Sequence, residues 1–157
     1  MSDKPPSDFR LVADFFGFAG TAPVEKDLHV VRAIAAIAAI DATPFTLVFG
    51  GGTALTRAHR LVRRMSEDVE FKIVPKPAAP VSRSTLRQQC DILRNRVTAA
   101  LLDAGFEFYP NDPAQTRARN ENSYIIFELP CKPLASAADG LRPKSLLPKS
   151  SKLDFFG

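Results

Sequence analysis

Three consecutive glycines, Gly50-Gly51-Gly52, constrain this chain more than any other feature. They follow Phe45-Thr46-Leu47-Val48-Phe49, an apolar, β-prone run of strand length. A helical pattern opens at Thr53, with Ala54, Leu55, Ala58, Leu61 and Val62 falling on one side. Glycines at such a junction let the backbone turn sharply and approach a ligand closely. The free N–H groups at a helix start suit a phosphate. No Gly-Lys-Ser/Thr follows the glycines, so a lysine-bearing phosphate loop of the Walker type is excluded. A second strand follows, Asp68-Val69-Glu70-Phe71 onward, and carboxylates two apart on a strand point to one face. Two acids on one face beside a phosphate cradle can hold Mg²⁺ against a nucleotide. The bland reading is an ordinary glycine turn next to a solvated acidic strand end.

The residues Gly51-Gly52-Thr53-Ala54-Leu55, His59-Arg60, and Arg64-Met65-Ser66-Glu67-Asp68-Val69-Glu70 resemble the signature of the AbiEii/AbiGii-type nucleotidyltransferase toxins. These belong to the wider DNA polymerase β-like nucleotidyltransferase superfamily. Glu25-Lys26-Asp27 is similar to an element near the start of that family, and the resemblance spans roughly residues 22–143. It implies an α/β, or α+β, fold: a small mixed β-sheet flanked by helices. It also implies transfer of a nucleotidyl group from an NTP to a hydroxyl on RNA (tRNA) or protein, with Mg²⁺ as cofactor. The biological setting would be toxin–antitoxin or abortive-infection systems, with a cognate antitoxin as partner. By the same resemblance Asp68 and Glu70 are catalytic and metal-binding, while Gly51, Gly52, Thr53 and Arg64 bind the nucleotide. The family has Asp where this chain has Glu70, one methylene longer. Mg²⁺ demands near-ideal octahedral geometry, so that difference bears on the metal site.

Composition narrows the alternatives. The 157 residues are one domain's worth of chain, 45% hydrophobic and 24% charged, as in ordinary globular proteins. No apolar run is long enough to span a membrane, and MSDKPPSDFR has no apolar signal core. Cys90 and Cys131 form neither a metal spacing nor a disulfide framework, so a cytoplasmic protein with reduced thiols is expected. The net charge is +4, but residues 131–157 carry five basic residues against Asp139 and Asp154, which puts +3 of it there. That distribution favours a solvated basic tail over a dedicated nucleic-acid surface.

Elsewhere the pattern predicts a short aromatic-docked helix over residues 9–18 and a second helix capped by Thr21, with Pro23 in its first turn. Leu28, Val31, Ala35 and Ala38 form the stripe of that second helix, widened by Val30, Ile34 and Ile37. Residues 75–80 hold three prolines and read as loop. Ser82 or Ser84 then caps the clearest helix, with Leu86, Cys90, Leu93, Val97 and Leu101 on one face and Gly105 as its stop. Residues 106–109 read as a short strand, 114–122 as a polar connector, and 123–129 as a strand.

Glu128 is the internal candidate for a third, base-acting carboxylate, against the reading of an edge-strand glutamate facing water. Lys26 and Asp27 read either as nucleotide-positioning residues or as helix-start electrostatics. His59, Arg60, Arg63 and Arg64 read either as triphosphate contacts or as a basic solvent face. Past Leu141-Arg142-Pro143, where the family continues into another acid-bearing strand, Pro148 and the Ser/Lys run have little strand character. The expectation is therefore a nucleotidyltransferase-like domain over residues 1–143, incomplete on its C-terminal side, and an irregular basic tail over 144–157. The competing class is a non-catalytic remnant or interaction module that keeps the fold and binds a nucleotide or partner weakly.

Overall fold

The computed structural model describes residues 8–52, 54, 68–76, 82–119, 124–130 and 151–156. Helices α1 (Phe9–Phe16) and α2 (Ala22–Ala38) precede the strands β1 (Phe45–Gly50) and β2 (Asp68–Pro75). Helix α3 (Arg83–Asp103) follows, and then β3 (Thr116–Arg119), β4 (Tyr124–Leu129) and β5 (Ser151–Phe156). The strands form one mixed sheet in the order β1-β2-β5-β4-β3. Only β2 and β5 run parallel; the other neighbours are antiparallel. The expected small mixed sheet flanked by helices is what the chain builds.

Alternation assigns the two faces of the sheet. Val69, Phe71 and Ile73 of β2 are buried, as are Ile125, Phe127 and Leu129 of β4. They meet Val30, Ala33 and Ile37 of α2 and Cys90, Leu93, Val97 and Leu101 of α3 in one core. Both long helices thus cover the same face. The opposite face carries Asp68, Glu70 and Lys72 of β2, in phase with Thr46, Val48 and Gly50 of β1.

The helix ends follow the expected chemistry with one substitution of role. Ser82 caps α3 by accepting a 3.1 Å bond from the Thr85 N–H at its Oγ. Thr21 stands at the start of α2 without capping a backbone N–H; its Oγ1 donates instead to Glu25 Oε1 at 2.8 Å. Glu25 is completely buried, so that hydroxyl gives its carboxyl group a hydrogen-bond partner where water does not reach. The α3 stripe is buried as expected from Cys90 to Leu101, while Leu86 is at the margin.

Several local expectations are corrected. In α2 the buried line is Val30, Ala33 and Ile37, and Val31 is exposed. The sparse polar residues after Arg32 left the phase of that helix underdetermined. In α1, Phe9 and Ala13 dock against Val24, whereas Phe15 and Phe16 point outward, 84% and 60% exposed. Residues 106–109 are not a strand. Phe106 and Phe108 are buried without a ladder partner, Phe108 edge-on to Phe127 at 6.0 Å and Phe106 beneath the Arg32 guanidinium at 5.6 Å. Packing alone satisfies their alternation. The edge strand β3 lies instead within the expected polar connector; of its described side chains only Thr116 is buried, so it carried little apolar signal. Finally, residues 151–156 of the expected irregular tail form β5, seated between β2 and β4.

Candidate functional site

Strand β1 delivers the glycines to the acids. Gly50 is the register partner of Glu70 across the β1–β2 ladder, and Gly51, Gly52 and Ala54 are helical directly beyond it. Gly51 has φ +70°, a left-handed conformation that L side chains avoid. A Cβ placed there would stand 2.7 Å from Glu70 Cδ and 2.8 Å from Oε2. The Glu70 carboxylate therefore lies directly over the Gly51 backbone. Both the dihedral and the contact require glycine. Ala54 is buried, which fixes the helical turn to the body of the protein.

Asp68 shares the face of Glu70, with buried Val69 between them pointing into the core. Asp68 is exposed and Glu70 half-buried. The two acids and the glycine turn expected from the sequence are thus together. Thr53 and Arg64, and with them His59, Arg60 and Arg63, lie outside the described residues. Lys26 and Asp27 sit half-buried in α2, the helix that packs on the other face of the sheet.

The sheet register then extends this face in rows. One row reads Gly50, Glu70, Asp154, Ile126, Arg117 from β1 to β3. The row on the Asp68 side reads Asp68, Lys152, Glu128. The row on the other side reads Val48, Lys72, Phe156, Tyr124, Arg119. Neighbouring strands lie about 4.8 Å apart, and alternate residues along a strand about 6.6 Å.

Glu128 belongs to this face, yet it is engaged there. Arg117 Nη2 donates to its Oε1, the two side chains being 40% and 34% exposed. It stands two strand spacings and one row from Glu70, with β5 between. The acid placed beside Glu70 by the backbone is Asp154, which the sequence reading passed over as tail. A signal was present in Lys152-Leu153-Asp154-Phe155, where apolar and charged residues alternate. The preceding Pro148 and Ser/Lys run obscured it.

Among the described residues no three His, Cys, Asp or Glu side chains gather into a metal cage. Asp68 and Glu70 nevertheless supply the hard oxygen donors that suit a divalent cation, and one of them overhangs a glycine turn. No helix among the described residues is long and apolar enough to cross a membrane.

Neither the curated proteins nor the solved structures gave a significant match. The family model described as nucleotidyl transferase AbiEii toxin, type IV TA system, matches residues 32–147, a span that takes in the glycine turn and both β2 acids. With well over half its length matched, and a mixed α/β fold of nucleotidyltransferase type, the chain belongs to the AbiEii nucleotidyltransferase toxin family.

Proposed function

We propose that the chain is a Mg²⁺-dependent nucleotidyltransferase that moves a nucleotidyl group from an NTP to a hydroxyl on RNA or protein. In the reaction the acceptor oxygen bonds to the α-phosphorus, the α–β phosphoanhydride bond breaks, and pyrophosphate leaves. The observation that carries this reading is the Glu70 carboxylate lying over Gly51 at the end of β1. A polyphosphate drawn to the turn's N–H groups would come within metal reach of both β2 acids.

Asp68 and Glu70 would hold the metal, with Asp154 joining them from the adjacent strand. Bound Mg²⁺ would neutralise the triphosphate and acidify the attacking hydroxyl. The chain's own residues supply the rest. Gly51 and Gly52 give the phosphates close access to the backbone, Thr53 adds a hydroxyl, and Arg64 adds positive charge. Asp154 replaces Glu128 as the general base in this reading, because Glu128 is engaged by Arg117 and its register position is farther from Glu70 than that of Asp154. Its biological role would be that of a cytoplasmic toxin held in check by a cognate antitoxin, as the type IV description of its family implies.

Incubation of the protein with labelled NTPs, Mg²⁺ and total RNA or cell protein tests the proposal. Labelling is expected with the native chain and is lost in Asp68→Ala, whose exposed site leaves the fold intact. Labelling that survives Asp68→Ala overturns the metal assignment. No labelling of any acceptor by any NTP identifies the chain as a non-catalytic binding remnant.

A further inference from the structure

The two edges of the sheet are built differently. β3 carries Arg117 and Arg119 in its short length, and charge on an edge strand discourages pairing with another chain. β1, Phe45-Thr46-Leu47-Val48-Phe49-Gly50, has neither a charged residue nor a proline. Among the described residues only β2 pairs with it. Thr46 and Val48 are exposed, Val48 to 46%, and Leu47 and Phe49 are half-buried.

The ladder fixes which backbone groups of β1 face outward. The Lys76 N–H donates to the Pro44 carbonyl at 2.9 Å, and these two residues continue the β1–β2 register one step beyond Phe45 and Pro75. In an antiparallel ladder such hydrogen-bonded pairs alternate with pairs that do not bond. Pro44, Thr46 and Val48 therefore turn their backbone groups toward β2, and Phe45, Leu47 and Phe49 turn theirs away. The Phe45 N–H is already spent on the Ala42 carbonyl at 2.8 Å. Leu47 and Phe49 keep both N–H and C=O on the open edge.

We propose that β1 is a self-association edge, to which a second copy of this chain adds its own β1 antiparallel, with the two-fold axis at Val48. In that register Leu47 of each copy lies opposite Phe49 of the other, and each such pair exchanges N–H···O=C bonds in both directions. Opposite residues share a face, so Leu47 and Phe49, which already pack against the core, carry the core face across the axis. On the other face Val48 meets Val48 of the second copy, which covers that exposed apolar side chain. An axis at Leu47 would instead set the Phe49 carbonyl against the occupied Phe45 N–H. Charge and closure name the occupant. β1 paired with itself sets no like charges opposite one another. Pairing β1 with β3 of another copy would set arginines against an apolar strand and repeat without closing, whereas β1 with β1 closes after two copies. One strand pair is small against the ~1,200–2,000 Å² of a standard stable interface, so the dimer is weak and concentration-dependent.

Sedimentation equilibrium of the full chain over a concentration series tests this, beside Val48→Lys, which sets two like charges at the axis from an exposed site. The native chain is expected to move from monomer to dimer mass as concentration rises, and Val48→Lys to stay monomeric where the native chain is mostly dimer. Thermal melts verify that the variant folds. Val48→Cys and Thr46→Cys, each in a Cys131→Ser background, read the register and carry the test should Val48→Lys not fold; Cys90 is buried. A non-hydrogen-bonded antiparallel pair sets its Cα atoms about 4.5 Å apart, within disulfide range, while the two Thr46 positions would lie about 14 Å apart. Mild oxidation is expected to give a covalent dimer with Val48→Cys and none with Thr46→Cys. A monomer up to the solubility limit leaves the edge to a strand of another protein and overturns the proposal. So do open-ended oligomers, a dimer that Val48→Lys leaves intact, and equal cross-linking of both cysteine variants. None of these readouts involves a nucleotide, so the outcome is independent of the transfer chemistry proposed above.

Discussion

Replacing Gly51 by alanine adds one carbon at the junction of turn and acid. Two effects follow from the geometry. At φ +70° an L residue loses about 1–2 kcal/mol relative to glycine. The new Cβ also meets Glu70 Cδ at 2.7 Å, closer than any real contact. That carboxylate is the far end of a flexible side chain, so it swings aside at a rotamer cost of ~0.5–1.5 kcal/mol. Together the terms lower stability by about 1.5–3.5 kcal/mol. For a chain of this size each kcal/mol shifts the midpoint by roughly 2–4 °C, so the melt falls by about 3–14 °C. A double-mutant cycle separates the contributions. In a Glu70→Ala background only the backbone term remains, and the coupling of ~0.5–1.5 kcal/mol is the measured signature of the contact. Calorimetry of Mg²⁺–NTP binding gives the functional half: a displaced Glu70 weakens it in the single Gly51→Ala variant. Equal destabilisation in both backgrounds, or none in either, refutes the contact between the acid and the turn.

Asp154→Asn is expected to abolish nucleotidyl labelling, whereas Glu128→Gln retains most of it and changes stability by at most ~1 kcal/mol, because the Arg117 pair is partly exposed; parallel labelling assays and melts check both. Burial pushes the Cys90 thiol above its ordinary range, and nearby Asp91 adds to the shift. Cys90 should therefore resist iodoacetamide in the folded chain and react on unfolding, which peptide mapping after timed alkylation reads directly. At Asp41 the Thr43 N–H, at 2.9 Å, leads the effects that hold the carboxyl below its ordinary value of 3.8, with Arg96 assisting. A lowered folded pKa favours the native state above the ordinary value, and that contribution disappears as pH falls through the lowered one. The acid limb of the melting curve should flatten in Asp41→Asn, and an unchanged limb contradicts the assignment.

What the sequence revealed about this fold depended on how much each segment says by itself. Helix α3 was legible to within a residue or two because a cap, a four-three-four-four apolar spacing and a glycine stop all agree. The pairing of acids with the glycine turn was legible because strand alternation is a rigid rule and the linking segment is short. α2 was legible as a helix but not in its phase, since apolar residues on nearly every side leave several stripes equally good. β3 was invisible: Thr-Arg-Ala-Arg at an edge has no apolar alternation, and its partner β4 supplies the ladder. Phe106 and Phe108 misled for the opposite reason, because alternating burial can arise where an extended segment plugs a core without pairing. Two arginines outside the basic stretch are structural: Arg32 Nη2 donates to the Ala104 carbonyl at 2.7 Å, and Arg96 Nη1 to that of Asp41 at 2.6 Å.

The strand obscured by Pro148 and the Ser/Lys run is the one that joins the sheet. Among the described residues β1 pairs only with β2, and β3 only with β4, and β5 joins the two halves. Two-stranded units are marginal in water, so the continuous core depends on that insertion. Its register sets Leu153 between Val69 and Phe127, both 0% exposed, and Phe155 between Phe71 and Ile125, 4% and 2% exposed. Those two positions lie on the core face, and Asp154 therefore lies on the face of Glu70. A slip of one residue would exchange the sets, bringing Lys152 and Asp154 to the core face among Val69, Phe71 and Phe127. Burying unpaired charges there costs several kcal/mol for each. The register that sets Leu153 and Phe155 at core-face positions is thus also what sets Asp154 across from Glu70 on the other face.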